Sequence, residues 1–110
     1  MPSQVREGVG RAGAAVLIYE LHREPGGVEP NLARRTAARP AGFQLDAQDE
    51  LRTPDAPSRE WLFNFRDGGR LLTASVVLGP DVSTGLRVDV VRVLNGLRFR
   101  PLAPGAKVDR

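Results

Sequence analysis

Alternating apolar residues predict a β-hairpin in the second half of the chain. The segment 59–79, REWLFNFRDGGRLLTASVVLG, has aromatic and β-branched runs on both sides of an Asp-Gly-Gly turn signal. A turn at Gly68-Gly69 brings the apolar members of both strands to one face, and a one-residue slip would separate them. The predicted cross-strand pairs are Phe65 with Leu72, Phe63 with Ala74, and Trp61 with Val76. The other face, with Leu62, Asn64, Thr73 and Ser75, is expected to be solvated.

Helical spacing follows the hairpin and predicts a helix from about Thr84 to Asn95. Ser83 or Thr84 is suited to cap its start, and Gly96 is placed to end it in a left-handed conformation. The apolar stripe falls at i, i+4, i+7, i+8 and i+11 and comprises Leu86, Val90, Val93, Leu94 and Leu97. Arg87, Asp89 and Arg92 occupy other faces.

Three further segments have strand character. Ala14–His22 is the longest, with Leu17, Tyr19 and Leu21 on its more apolar face and Val16, Ile18 and Glu20 on the other. Ala41–Leu45 and Leu97–Pro101 are predicted as short strands. Asn31–Arg39, between two prolines, fits either two helical turns or a loop.

These elements predict an α+β fold, a small antiparallel sheet with a C-terminal amphipathic helix packed on one face. One domain is expected over residues 13–101, with a flexible N-terminal arm at 1–12 and a flexible tail at 102–110. The predicted core consists of Leu17, Tyr19, Trp61, Phe63, Phe65, Leu72, Val76, Leu78, Leu86, Val90, Val93, Leu94, Leu97 and Phe99.

The composition excludes several kinds of functional site. With no cysteine and one histidine among 110 residues, a disulfide framework, a thiolate metal site and a multi-histidine metal cage are excluded within one chain. The formal net charge is +3, but fifteen arginines and one lysine are spread along the chain among thirteen acids. A phosphate-binding surface concentrates its charge on one face, so no specific nucleic acid is expected.

Several residues are of types that could form a functional site. His22 could act as a general base only beside a carboxylate and a nucleophile that the sequence does not provide. Asp46, Asp49 and Glu50 offer clustered oxygen ligands, but their spacing matches no calcium loop, and a solvated acidic loop is the better interpretation.

Other motifs are weaker still. Gly8, Gly10 and Gly13 spell G-x-G-x-x-G, but before a strand rather than after one, so they do not form a dinucleotide fingerprint. Ser58, Ser75 and Ser83 lack the context of an acyl-transfer nucleophile. The aromatic residues Trp61, Phe63 and Phe65 fit a core better than a ligand platform. No catalytic, cofactor-binding or metal site is therefore predicted.

The segment FNFRDGGRLLTASVVLGPDVSTGLRVDVVRVLNGLRFRP resembles the closing part of small actinobacterial proteins. In these, an apolar strand ending in Leu-Gly precedes an amphipathic helix and a terminal strand, here Leu94-Asn95-Gly96-Leu97-Arg98-Phe99. Similar endings occur in the Mog1/PsbP-like α+β class. The resemblance covers roughly forty residues, about 59–101, and implies an antiparallel sheet with packed helices and members that mostly act through binding.

The favoured function is a non-catalytic protein-binding or assembly module. An electrostatic nucleic-acid binder and a small enzyme with an intersubunit site are the alternatives. Residues 14–22 are apolar on both faces, which predicts a homodimer or another protein as partner. The start of the chain lacks the apolar run of a signal peptide, and the longest apolar run, Ala14–Tyr19, is too short for a membrane span. A soluble chain, cytoplasmic as written, is expected.

Overall fold

A computed structural model describes residues 8–20, 36–51 and 57–101 of the chain. These residues form a four-stranded antiparallel sheet with the strand order β1-β4-β3-β2, followed by one helix, α1. The α+β fold class is therefore confirmed. A short 3-10 turn, Ala47–Asp49, precedes β2. The elements are β1 (Ala14–Glu20), β2 (Glu50–Leu51), β3 (Arg59–Asp67), β4 (Arg70–Leu78) and α1 (Thr84–Gly96).

The hairpin β3–β4 has the predicted register. Phe65 lies opposite Leu72, and the pairing continues through Phe63 with Ala74 and Trp61 with Val76. Gly68 and Gly69 have φ values of 59° and 82°, so both turn residues adopt the left-handed region that a primed two-residue turn requires. The turn twists with the strands, and the two nine-residue strands remain paired along their whole length.

The predicted first strand is confirmed over Ala14–Glu20, and its last two residues lie outside the described part of the chain. Its inward face is the opposite of the one predicted. Val16 and Ile18 pack against the core, whereas Tyr19 is 37% exposed. The reason is register: β1 pairs with β4 so that Val16 lies beside Val76, which is already on the buried aromatic face of the hairpin.

The core lies between one face of the sheet and α1. Of the predicted core, the fully buried members are Trp61, Phe65, Leu72, Val76, Leu78, Val90 and Leu94. Phe63, Leu97 and Phe99 pack against this cluster and are half-buried, while Leu17 and Leu86 are half-buried outside it. Phe43, Leu45 and Ala74 complete the cluster and were not predicted.

The helix begins as predicted, but its phase and end differ. Ser83 accepts a hydrogen bond from the Leu86 N–H through its hydroxyl (3.0 Å). Val93, expected inside, is 53% exposed, because the helix is rotated to place Val90 and Leu94 against the sheet. Gly96 belongs to the helix, and the chain leaves it through Leu97 at φ −61°, so no left-handed cap forms.

Neither Ala41–Leu45 nor Leu97–Pro101 forms the predicted strand. Both are extended segments that pass beneath the sheet and insert Phe43, Leu45 and Phe99 into its aromatic face. Their apolar residues produced a strand-like pattern, but their role is to fill the space between sheet and helix.

The second face of the sheet is buried along its central strand. Leu71, Ser75 and Val77 of β4 are each at most 3% exposed, whereas Leu62 near the sheet edge is 41% exposed. The expectation of a solvated face is therefore wrong at Ser75. Glu60, which lies beside Val77 on this face, is also only 2% exposed.

A close backbone contact joins the start of β1 to the end of β4. The Gly79 N–H donates to the Gly13 carbonyl (2.8 Å), and the Asp81 N–H donates to the Arg11 carbonyl (2.7 Å). A Cβ atom at Gly79 would overlap the carbonyl oxygens of Gly10 and Arg11. Glycine is required here for this close approach.

Candidate functional site

The outer edge of β3 is covered at its two ends and open between them. At one end, β2 lies opposite Trp61 and Glu60. At the other, the Arg66 N–H donates to the Ala37 carbonyl (2.8 Å), and its carbonyl accepts from the Arg39 N–H (2.9 Å). After this bridge the chain leaves the edge, and residues 40–46 pass beneath the sheet before the chain returns to the edge as β2.

The gap opens onto a cleft of about 380 Å³. Its apolar part consists of the rings of Phe43 and Phe63, whose centroids are 5.3 Å apart, and the side chain of Leu62. Asp46 and Asp49 lie at the β2 end. Pro40, Gly42 and Gln44 complete the lining. The cleft thus combines an apolar floor, an open strand edge and a negatively charged end.

Arg39 fixes one wall of the cleft. Its guanidinium donates to the Asp67 carboxylate (3.0 Å) and to the carbonyls of Leu97 (2.6 Å), Leu94 (3.2 Å) and Asn95 (3.3 Å). These carbonyls belong to the end of α1, where the helix dipole favours a cation. No spacing in the sequence predicts this contact, since Asp67 lies 28 positions away along the chain and the three carbonyls lie 55 to 58 positions away.

The opposite wall is organised around Trp61. The indole N–H donates to the Asp46 carbonyl (2.9 Å), and the guanidinium carbons of Arg59 and Arg87 lie 5.1 and 5.4 Å from its ring centroid. Arg87 also donates to the Leu45 carbonyl. The prediction that Arg87 occupies a face away from the sheet is therefore wrong.

The negative charge of Glu50 is paired with a cation within this wall. Its Oε1 accepts from both Nε (3.0 Å) and Nη2 (2.7 Å) of Arg59. The hydrogen bond from Arg59 lowers the pKa of Glu50, against a smaller opposing effect of burial. The same bond raises the pKa of Arg59. Glu50 therefore serves an ion pair rather than a metal ion.

Asp46 and Asp49 have no cationic partner among the described residues. No group of three or more potential metal ligands occurs in the ranges 8–20, 36–51 and 57–101. The interpretation of the acidic segment as a metal site therefore gains no support. Its two free carboxylates instead give the cleft a local negative charge.

The other sequence candidates are scattered. His22 lies outside the described residues. Gly10 and Gly13 form a turn before β1, with the Gly13 N–H donating to the Gly10 carbonyl (3.0 Å), and no helix follows them. Ser83 caps α1, and Ser75 is buried in β4 with no hydrogen-bond partner for its hydroxyl in the described structure. Phe65 and Trp61 belong to the core.

The opposite edge of the sheet is formed by β1. The Gly79 N–H bonds the Gly13 carbonyl, so these two residues direct their backbone groups towards each other. In an antiparallel pair this direction alternates from one residue to the next, which fixes the direction for every residue of β1. Val16, Ile18 and Glu20 direct their N–H and C=O groups away from β4. Nothing among the described residues pairs with them.

Many arginines have intramolecular roles. Besides Arg39, Arg59 and Arg87, the Arg66 guanidinium donates to the Thr36 carbonyl (2.6 Å), and Arg70 binds the Glu20 carboxylate (2.8 and 2.7 Å). These groups are already engaged in the fold, so they do not form a free basic surface. The high arginine content is thus partly explained by bonds to carbonyls and carboxylates.

α1, with 13 residues, falls short of the length needed to cross a bilayer, and no other described helix reaches it. No family model matches the chain, and neither the curated proteins nor the solved structures contain a match to it. The Mog1/PsbP-like resemblance therefore stays a prediction. The features from which a function can be inferred are the outer edge of β1 and the middle of the outer edge of β3, which are open among the described residues.

Proposed function

We propose that the protein is a non-catalytic protein-binding module that forms a homodimer through the outer edge of β1. The observation that carries this proposal is the row of backbone groups at Val16, Ile18 and Glu20, which have no partner in the described part of the chain. An open strand edge is a template for another strand, and a second copy of the same edge supplies one in a two-fold arrangement.

The side chains of β1 do little to prevent such pairing. β1 contains no proline, and its one charged residue, Glu20, is bound by Arg70 through both carboxylate oxygens (2.8 and 2.7 Å). Natural edges are commonly protected by unpaired charges, prolines or bulges. Here the charge is held inside the chain, and Tyr19 offers an exposed apolar ring beside the edge.

The mode of association follows from the packing of β1. Val16 and Ile18 contact the core of their own chain, so the face they share is not a free surface. Association is therefore expected along the strand edge, with the two β1 strands antiparallel. The product would be a continuous eight-stranded sheet built from two four-stranded ones.

Sedimentation velocity at micromolar concentration tests the proposal. The expected wild-type species has twice the 11.9 kDa mass of the chain. Ile18→Pro removes an outward N–H without removing a bond to β4, and Tyr19→Lys places like charges near the symmetry axis. Both variants are expected to sediment as monomers, with circular dichroism confirming that they fold.

Val93→Lys is the matched control, because it also places a lysine at an exposed apolar position but lies on α1. It should remain dimeric. A wild-type chain that sediments only at 11.9 kDa at every concentration would overturn the proposal. So would dimers that persist equally in the variants Ile18→Pro and Tyr19→Lys.

A further inference from the structure

The second open edge, in the middle of β3, has a different shape and chemistry. Because Arg66 directs its backbone groups away from β4, alternation along the strand directs those of Asn64 and Leu62 the same way. Of these four groups, the Leu62 N–H is bonded to the Asp49 carbonyl, as the pairing of Glu50 with Trp61 requires. The Leu62 carbonyl and both backbone groups of Asn64 have no partner among the described residues. Leu62 lines the 380 Å³ cleft.

The gap has the length of a short peptide strand. Its boundaries are Leu62, whose N–H is bonded to Asp49, and Arg66, bonded to the segment 37–39. At about 3.3 Å per residue, this part of β3 extends roughly 13 Å. Since both ends are occupied, the opening accepts about three residues of an extended chain and excludes a long strand.

We infer that this cleft binds a short extended peptide segment of a partner protein, one that carries a lysine or arginine. The peptide would add to β3 through the carbonyl of Leu62 and both backbone groups of Asn64. Alternate side chains of the peptide would point to the apolar floor formed by Phe43 and Phe63, in the mode known as strand addition.

Charge complementarity selects the basic side chain. Asp46 and Asp49 line the cleft and have no cationic partner within residues 8–20, 36–51 and 57–101, whereas the neighbouring carboxylate of Glu50 is bound by Arg59. An acidic side chain placed there would meet two carboxylates, and a cationic one would compensate them. The site lies at the side of the sheet opposite β1, so it is independent of the proposed dimer edge.

Two fluorescein-labelled heptapeptides form the probe for the test, one alternating lysine with valine and threonine, the other with glutamate in place of lysine. Fluorescence anisotropy is expected to show saturable binding of the lysine peptide and none of the glutamate peptide. The double variant Asp46→Asn/Asp49→Asn should weaken the binding about tenfold. Asp89→Asn, on the exposed side of α1, is the matched control and should not alter it.

Amide hydrogen exchange locates the bound peptide. In the free protein, the Asn64 amide should exchange rapidly. The Leu62 amide, bonded to Asp49, and the Phe63 and Phe65 amides, which face β4, should be protected. Saturating lysine peptide should protect Asn64. A peptide with N-methylated central residues cannot donate to the strand and should not bind.

Three outcomes would overturn the inference: no saturable binding of the lysine peptide, equal binding of both peptides, or protection confined to Val16 and Ile18 in β1. Dimerisation is measured separately by sedimentation, so failure of the β1 proposal and failure of the cleft proposal can be told apart.

Discussion

The side chain of Asn95 is hydrogen-bonded to both backbone groups of Phe43. Its Oδ1 accepts from the Phe43 N–H (2.6 Å), and its Nδ2 donates to the Phe43 carbonyl (3.3 Å). An amide side chain from α1 thus replaces the neighbouring strand that an extended segment usually needs. This contact keeps residues 41–45 beneath the sheet, and so keeps the edge of β3 free above them.

Removing the Asn95 amide is therefore expected to destabilise the protein. Asn95→Ala leaves the N–H and C=O of the buried Phe43 without partners, at a cost of about 1–3 kcal/mol. Asn95→Asp keeps the acceptor and loses the donor, so its cost should be smaller. Urea unfolding measures both. Val88→Ala, at an exposed position of the same helix, is the control, and an equal loss in Val88→Ala and Asn95→Ala would contradict this role.

Val90 and Val93 provide a test of the helix phase. Val90 is 5% exposed and Val93 is 53% exposed, although both carry the same side chain on the same helix. Val90→Asp buries a carboxylate without a partner and should unfold the protein or cost more than about 3 kcal/mol. Val93→Asp should change the stability by less than about 1 kcal/mol. Similar losses for the two variants in thermal unfolding would indicate the predicted stripe, in which both valines face the sheet, rather than the observed one.

The hairpin turn depends on the backbone of Gly69. At φ 82°, a β-branched side chain is strained, and Gly69→Val should cost more than about 1 kcal/mol. Gly42→Val adds the same side chain where nothing lies within 4 Å of the new Cβ and the backbone is not left-handed. It should cost much less. An unchanged unfolding midpoint for Gly69→Val would contradict the turn.

The pair of Glu50 and Arg59 predicts a small component of acid sensitivity. Folding lowers the pKa of Glu50, so its contribution is fully present above the unfolded pKa of about 4.3 and is lost as the pH falls through the folded pKa. The side chains are 24% and 40% exposed, which limits the contribution to below about 1 kcal/mol.

Glu50→Gln removes this titration. Between about pH 5 and about pH 3, the variant is expected to lose less free energy of unfolding than the wild type. Denaturant titrations at both pH values measure the difference. Identical pH profiles for Glu50→Gln and the wild type would contradict the assignment.

The parts of the fold set by local rules could be predicted from the sequence. The register of β3 and β4 follows from one turn and from alternation across it, and the start of α1 follows from the Ser83 cap. The inward face of β1 could not be predicted, because it depends on which residue of the distant β4 lies beside Val16.

The candidate cleft could not be predicted from the sequence, for a related physical reason. Its shape depends on Arg39 and Asn95, whose hydrogen-bonded backbone partners lie more than fifty positions away. A polar side chain that binds a backbone group leaves no periodic pattern in the sequence. The sequence shows that Asp46 and Asp49 belong to a group of acidic residues, but only the fold shows that they border an open strand edge.

The close approach at Gly79 has a consequence for the order of folding. β3, β4 and α1 are contiguous and join through short connections, whereas β1 reaches β4 only after closure of the loop formed by residues 21–71. The bond between Arg11 and Asp81 spans 70 positions. Since closure of a long loop slows folding, docking of β1 is expected to limit the refolding rate. Until β1 docks, the edge of β4 that it will cover is exposed, and the nascent hairpin is open to pairing along its most apolar strand.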